Sequence, residues 1–430
     1  MKSILKLFYM VLIGGLSISG AALAGNGDNI KTGSGQFLYT VSNSSNGNNS
    51  VLGYKIDPSN GSLKELPGSP FPTRGNGEGI ILLGASDNGL TISKDHKFLF
   101  APNRGSQTIA VFRIYSDGSL THVPGSPFPT GGYTPVSLAL HGDLLYVSHL
   151  GINLPDNCSG CEYRGYRVSK SGAITPMADS VYKLTETPPA IPLALRFSPN
   201  GQFLIGTEAG ATSKINVFEV KRSSPNADAK LVLVPGSPFD SIGKEPFGFN
   251  FNPANDSQFF VSNLQTLAVP GNVEGSVSSY LIAKTGQISP IVTDLPSNGG
   301  QEATCWVSLS NDGKLLFATN PTSDSVTSYS VTPDGRLSLQ HITTMSRGTI
   351  TKGGPLAPVD MAVTTHNDYL YMATVRIPTI TGFKISADGG LTPIPGVSPL
   401  QVTNPVDAAP FGIAYLDFGA KAENVEYADD

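Results

Sequence analysis

A five-residue stretch of this chain comes back at regular intervals. Pro67-Gly68-Ser69-Pro70-Phe71 recurs as Pro124-Gly125-Ser126-Pro127-Phe128 and Pro235-Gly236-Ser237-Pro238-Phe239, and in eroded form as Pro395-Gly396-Val397-Ser398-Pro399. The starts are 57, 111 and 160 residues apart, close to one, two and three times a step in the mid-fifties. A fixed step of that size marks structural repeats and limits the fold more than local propensity does. Proline removes a ladder donor and glycine relaxes the backbone, so each copy is expected to be a turn. It should leave the outer strand of one unit and begin the crossing to the next, with Phe71, Phe128 and Phe239 packed between units.

The units themselves read as β structure. Each opens on a short apolar stretch: Gly89–Ile92, Val136–Leu140, Leu193–Phe197, Phe247–Phe251, Cys305–Leu309 and Val359–Val363. A turn such as Ser198-Pro199-Asn200-Gly201 follows, and then a β-rich run that ends on a polar residue. Seven such second runs exist, the first at Phe37–Val41, but only six first strands precede them. The seventh first strand lies at the other end of the chain, where Pro410-Phe411-Gly412-Ile413-Ala414-Tyr415 matches Pro246-Phe247-Gly248-Phe249-Asn250-Phe251. Third strands follow in six units, and fourth strands follow turns such as Ser116-Asp117-Gly118-Ser119. The expected fold is therefore all-β: a seven-bladed β-propeller with four-stranded blades, its first blade closed by the C-terminal strand. A parallel β-helix also repeats, but it has no reason to place half a unit at each terminus.

Composition narrows the partners. Charged residues make up 14% of the chain and net charge is −5, so no basic stripe exists to neutralise a phosphate backbone and nucleic acid is not expected. Lys2 and Lys6, the apolar run Leu7–Leu16 and Ala22-Leu23-Ala24 read as a cleaved signal peptide over residues 1–24, which implies a periplasmic or secreted protein. Residues 25–36 are then a linker, 37–418 the propeller and 419–430 an acidic disordered tail. A monomer is expected, with no membrane span after cleavage.

The repeat (D/N)-G-k-(F/L)-L-(Y/F)-x-x-N, followed by a valine-rich strand and D-G-x-L, resembles the lactonase-type seven-bladed propellers over nearly all of residues 37 to 416. That family includes bacterial 6-phosphogluconolactonases and fungal carboxymuconate-lactonizing enzymes. Gly206–Gly210, Pro246–Phe249 and Gln301–Val307 look closer to uncharacterised bacterial members. The resemblance implies the propeller fold and lactone hydrolysis, and no cofactor is expected. It does not supply catalytic residues. Where characterised members carry a histidine in the third blade this chain has Pro135-Val136-Ser137, and in place of their G-P-R-H it has Ile191-Pro192-Leu193-Ala194. Their N-E pair falls on Glu208-Ala209, which puts the carboxylate one residue out of register.

Candidate chemistry comes from where the repeat fails. The ends of the second strands form the column Asn43, Asn103, His149, Glu208, Asn263, Asn320 and Thr374. Asparagine there suits a turn, since its amide bonds nearby backbone. His149 and Glu208 break the habit and are the candidate catalytic pair, on neighbouring blades at one channel mouth. A turn histidine and a carboxylate that accepts backbone N–H groups are the structural alternatives. Arg74, Glu245, Gln301, Glu302, Arg347 and Asp360, on loops that enter first strands, are candidate substrate-binding residues, with Glu78 and Lys352 nearby. No ligand spacing supports a metal site. Cys158 and Cys161, in a long loop after His149, are expected to form a local disulfide in an exported protein, and Cys305 to be a buried thiol. The expected function is an exported hydrolase of a lactone of sugar-acid type. The alternative is a non-catalytic propeller that binds a carbohydrate, peptide or protein.

Overall fold

A computed structural model describes residues 34–47, 49–79, 87–152, 157–224, 227–265, 274–345, 357–375, 377–396, 409–422, 425 and 427. The signal-peptide reading, most of the linker, Arg347 and Lys352 lie outside the described residues. Within them the chain forms seven antiparallel sheets and no helix, so no helix is long and apolar enough to cross a membrane.

Six blades are continuous in sequence. Blade 2 runs Thr91–Ile92, Phe98–Asn103, Thr108–Ile114 and Leu120–His122, and blade 3 runs Pro135–His141, Leu144–Ile152, Ser159–Val168 and Ile174–Lys183. Blade 4 contains Ile191–Phe197, Phe203–Ala209, Lys214–Lys221 and Lys230–Leu233; blade 5 contains Pro246–Asn252, Asn255–Asn263, Ser276–Ile282 and Ile288–Pro296. Blade 6 is Val307–Leu309, Leu315–Asn320, Ser325–Val331 and Leu337–Thr344, and blade 7 is Pro358–Val363, Tyr369–Thr374, Thr379–Ile385 and Leu391–Pro393. Blade 1 is the split one. Its inner strand, Ile413–Asp417, pairs with Gln36–Val41 in the register Tyr39↔Ala414, and Ser50–Ile56 and Leu63–Glu65 complete it. The inner strands touch one another round a closed ring.

Strand alternation explains why these blades stand side by side. In Phe98–Asn103, Leu99 and Ala101 pack with Phe37, Tyr39 and Val51 of blade 1, while Phe98 and Phe100 pack with Leu145, Val147 and Tyr166 of blade 3. Successive side chains point to opposite faces, so a strand that is apolar at every position needs a neighbour on each side. Every neighbouring pair of blades shares such an apolar cluster.

The recurring motif sits one step earlier than expected. It interrupts the outer strand, which then resumes: Val51 pairs with Phe71, Ile109 with Phe128, and Ile215 with Phe239. Each interruption bonds one third-strand residue twice. Gly53 N–H donates to Ser69 Oγ at 3.2 Å, Val111 N–H to Ser126 Oγ at 2.9 Å and Val217 N–H to Ser237 Oγ at 2.8 Å. The carbonyls of Gly53, Val111 and Val217 accept from Leu66, Val123 and Val234. The serine hydroxyl thus replaces the ladder acceptor that the turn removes, and pairing continues beyond it. The glycine of each copy, with φ of 83–87° at Gly68, Gly125 and Gly236, occupies a backbone region closed to other residues at little cost. The phenylalanines do join the clusters between blades.

Two details differ from the sequence reading. Cys158 and Cys161 form a disulfide, but Cys161 lies inside the third strand of blade 3, opposite Leu150, because Ser159–Val168 starts earlier than its polar residues suggest. In the acidic tail, Tyr427 lies against blade 2: its hydroxyl donates to Asp95 Oδ1 at 2.8 Å and its ring meets Phe98 edge-on at 5.5 Å. Replacing Ser126 by alanine strands the buried Val111 N–H. Urea unfolding should show a loss of about 1–3 kcal/mol with an unchanged denaturant slope.

Candidate functional site

The asparagine column is a set of braces. Asn103 accepts from Asn49 Nδ2 at 2.8 Å and from Thr73 Oγ1 at 2.5 Å, which ties blade 2 to the end of blade 1. Asn263 donates to Ser276 and Ser278, and Asn320 to Ser325 and Thr327 while it accepts from Thr304. Short amides suit this work because one side chain both donates and accepts.

His149 occupies the same place without the bonds. It is fully buried, and neither ring nitrogen has a hydrogen-bond partner among the described residues. Its ring lies under Gly132, where an added Cβ would come within 2.6 Å of it. Beside it Arg164 is ion-paired with Glu162 at 2.7 Å. Burial, reinforced by the Arg164 charge, lowers its pKa to about 3. Glu208 accepts from Asn216 Nδ2 at 2.6 Å, and burial raises its pKa against the opposing bonds to Asn216 and Thr212.

These two side chains do not meet. Leu145 and Val147 of the same strand pack toward blade 2, so His149 turns that way by alternation. Glu208 is on the same face as Leu204 and Gly206, which lie against Tyr163 of blade 3. The other candidates on that face are scattered. Arg74 is exposed on the loop entering blade 2, Glu245 is buried just before blade 5 and its N–H donates to Ser213 Oγ, and Gln301 accepts from the Ser325 hydroxyl. Glu302 forms a backbone bridge with Glu274. The channel mouth on this side is apolar: Val136, Leu193, Phe247, Cys305, Val359 and Phe411, at corresponding places within or just before six inner strands, belong to one cluster. Arg104 lies over the Phe411 ring at 5.4 Å and pairs with Glu78 at 3.3 Å.

Asp360 belongs elsewhere. It lies inside the inner strand of blade 7 rather than on a loop, and its carboxylate accepts Met361 N–H at 2.9 Å and Ile413 N–H at 3.1 Å. Nearby, Asp87 binds Arg196 through Nε and Nη2 at 3.0–3.3 Å. Asp87 also accepts Phe249 N–H at 3.3 Å, while its own N–H donates to Leu193 O and Asn88 O accepts from Leu138. One short segment thereby joins blades 2, 3, 4 and 5 across the channel. Burial first, and then the charge of Asp87, push Asp360 well above the usual carboxylate range, with Arg196 and the two N–H bonds opposing.

This polar cluster opens to the mouth where inner strands end. Two recesses, of about 280 Å³ and 350 Å³, share Asn88, Arg196, Asn250 and Phe251 in their walls, and Asp360 lines the first. Asp87, Asn88, Arg196 and Asn250 are absent from the sequence-based candidates. A signal existed for two of them: Arg196 and Asn250 each stand fourth in the otherwise apolar runs Leu193–Phe197 and Phe247–Phe251. Among the described residues no three His, Cys, Asp or Glu side chains are grouped as metal ligands.

Two outcomes follow from these environments. A histidine takes up its proton near pH 6.5 in an unfolded chain, so between there and about 3 the unfolded state binds more protons and stability falls with pH. His149→Asn should remove this term. Its stability relative to the parent should improve by about 2 kcal/mol between pH 6.5 and 5, at about 1.4 kcal/mol per unit; a pH-independent difference would contradict the assignment. Arg196→Ala should cost about 3–5 kcal/mol in chemical denaturation, since it leaves Asp87 buried and uncompensated, and adding Asp87→Asn should recover part of that loss.

Comparison with known proteins agrees with the architecture. The family model for the lactonase seven-bladed β-propeller matches residues 29–150 and 260–409, more than half of the chain. A proposed 6-phosphogluconolactonase from Bacteroides fragilis superposes with a TM-score of 0.69 at 19% identity, covering 91% of this chain and 100% of that one. One from Bacteroides uniformis gives 0.67 at 17% identity, with 89% and 99% covered. The periplasmic gluconolactonase of Pseudomonas aeruginosa gives 0.64 at 17% identity, again with 89% and 99% covered. No curated protein matches the chain significantly. Identities this low speak for the fold alone; the family match goes further, and the chain belongs to the lactonase family of seven-bladed β-propellers.

Proposed function

We propose that the protein hydrolyses a lactone, of sugar-acid type, at the channel mouth formed by Asp360, Arg196, Asn88 and Asn250. The observation that carries this reading is a buried carboxyl with a raised pKa beside a guanidinium, both in the wall of one recess. Perturbed groups of this kind concentrate at functional sites. In the proposed reaction Asp360 takes a proton from water as the water oxygen bonds to the lactone carbonyl carbon. The charge on the carbonyl oxygen is held by Arg196 Nη1, which Asp87 does not engage, together with the second Nδ2 hydrogen of Asn250, whose first donates to Val307 O. The ring C–O bond then breaks as Asp360 gives its proton to the leaving oxygen, and a hydroxy acid departs.

Family membership supports the reaction class, and the residues at the family's catalytic positions redirect it to this mouth, since Leu193 and Val136 there belong to an apolar cluster. The same observation favours the second reading, a propeller that binds its ligand without turning it over. Export after cleavage at Ala24 is part of the proposal, with the reaction outside the cytoplasm. A mature protein whose mass begins at Gly25 would bear that out.

A lactone panel assayed with Asp360→Asn separates the readings. If Asp360 is the base, kcat falls about 100-fold or more while the fold is retained. The parent's rate should also rise with pH as Asp360 loses its proton, above the range of an ordinary carboxylate. Unchanged turnover in the variant would reject the mechanism, and no turnover by the parent on any lactone would favour the binder.

A further inference from the structure

Asn88 and Asn250 stand in the walls of both recesses at this mouth, and each is half-buried. Their amide nitrogens are committed to the ring of strands. Asn250 Nδ2 donates to Val307 O of blade 6 at 2.7 Å, and Asn88 Nδ2 donates to Leu138 O of blade 3 and, at 3.5 Å, to Leu195 O of blade 4. A backbone carbonyl can be met only by the NH2 end of an amide, so these bonds fix which way each side chain faces. The carbonyl oxygens are the ends left over, and neither Oδ1 accepts a hydrogen bond among the described residues. Asn88 therefore offers the mouth an acceptor, and Asn250 offers an acceptor beside its one uncommitted N–H.

That pair of groups on Asn250 has a chemical counterpart. In the reaction described above, the lactone carbonyl oxygen accepts from the second Nδ2 hydrogen. Oδ1 belongs to the same planar amide, so the ligand group nearest to it is the substituent on the carbon next to the carbonyl. A hydroxyl there donates to Oδ1. A C–H group in its place strips water from Oδ1 and returns no bond, which is the costly case for a polar atom.

We propose that Asn250 determines specificity by pairing its amide with the carbonyl and with a hydroxyl on the neighbouring carbon, while Asn88 Oδ1 accepts a further ring hydroxyl. The favoured substrates are then aldonolactones with that hydroxyl free, and deoxy and plain aliphatic lactones are discriminated against. The inference rests on the lactone reading of this mouth and deepens it, but binding alone tests it.

Lactams keep the ring and the carbonyl and resist hydrolysis, so calorimetry on the full chain with glucono-δ-lactam, its 2-deoxy counterpart and δ-valerolactam separates recognition from turnover. The parent should bind the first about 10-fold or more tightly than the second, the loss expected when one hydrogen bond is removed and its acceptor left unpaired, and the third more weakly again. Asn250→Leu, checked for an unchanged circular dichroism spectrum, should bring the first two within about 2-fold of each other, whereas Asn88→Ala should weaken both by about 5-fold and keep their ratio. Equal affinity of the parent for the first two lactams, which needs no variant to measure, would overturn the proposal. So would a ratio that survives Asn250→Leu, or no binding of glucono-δ-lactam. Selective lactam binding without turnover of any lactone would leave the specificity standing and reject the hydrolase. Lactone turnover at equal rates with and without the neighbouring hydroxyl would do the reverse.

Discussion

Burial of both faces of every blade is the constraint on which the remaining structure depends. A four-stranded sheet with Leu99 and Ala101 on one face and Phe98 and Phe100 on the other has no side to turn to water. Hydrophobic burial is worth about 25 cal/mol per Å² of apolar surface, so each blade gains most when neighbours cover both faces. A ring meets that demand for every member at once. It also requires the two ends of the chain to share a blade, which the pairing of Gln36–Val41 with Ile413–Asp417 achieves.

Ring closure leaves a narrow axis, and the two ends of that axis differ. One end is filled by the side chains of Val136, Leu193, Phe247, Cys305, Val359 and Phe411, within or just before the inner strands. At the other, Asp87, Arg196 and Asp360 approach one another where water is scarce, so each charge depends on its partners. Backbone N–H groups from Asn88, Phe249, Met361 and Ile413 donate to the two carboxylates as well. The same network can therefore hold blades together and prepare an acid and a cation for chemistry.

The repeat made most of the architecture legible. Its step, its turns and the displaced first strand all follow from local patterns, and the structure ends second strands at Asn103, Asn263, Asn320 and Thr374, where the column of equivalent residues places them. The third strand of blade 3 was not legible, because Cys158–Tyr166 carries Ser159, Gly160, Glu162, Arg164 and Gly165 and has no apolar run. The site was legible only in part. A break in a column of equivalent residues marks His149 and Glu208 as unusual, but it says nothing about which seam each side chain enters. His149 turns toward blade 2 and Glu208 toward blade 3, so neighbours in the column are separated in space. Asp360 was recognised as a charge near an inner strand, whereas its partner Asp87 precedes a strand of only two residues and carried no signal.

Sequence alone determined the number of blades, the place of the split one and the family, because each depends on spacing and on patterns repeated many times along the chain. Tertiary structure alone decided which polar residues share an environment. Asp87 and Arg196 are 109 residues apart, and Asp360 is farther still. Their meeting is set by how seven inner strands converge on one axis, a geometric consequence of closure that no local stretch of the chain encodes.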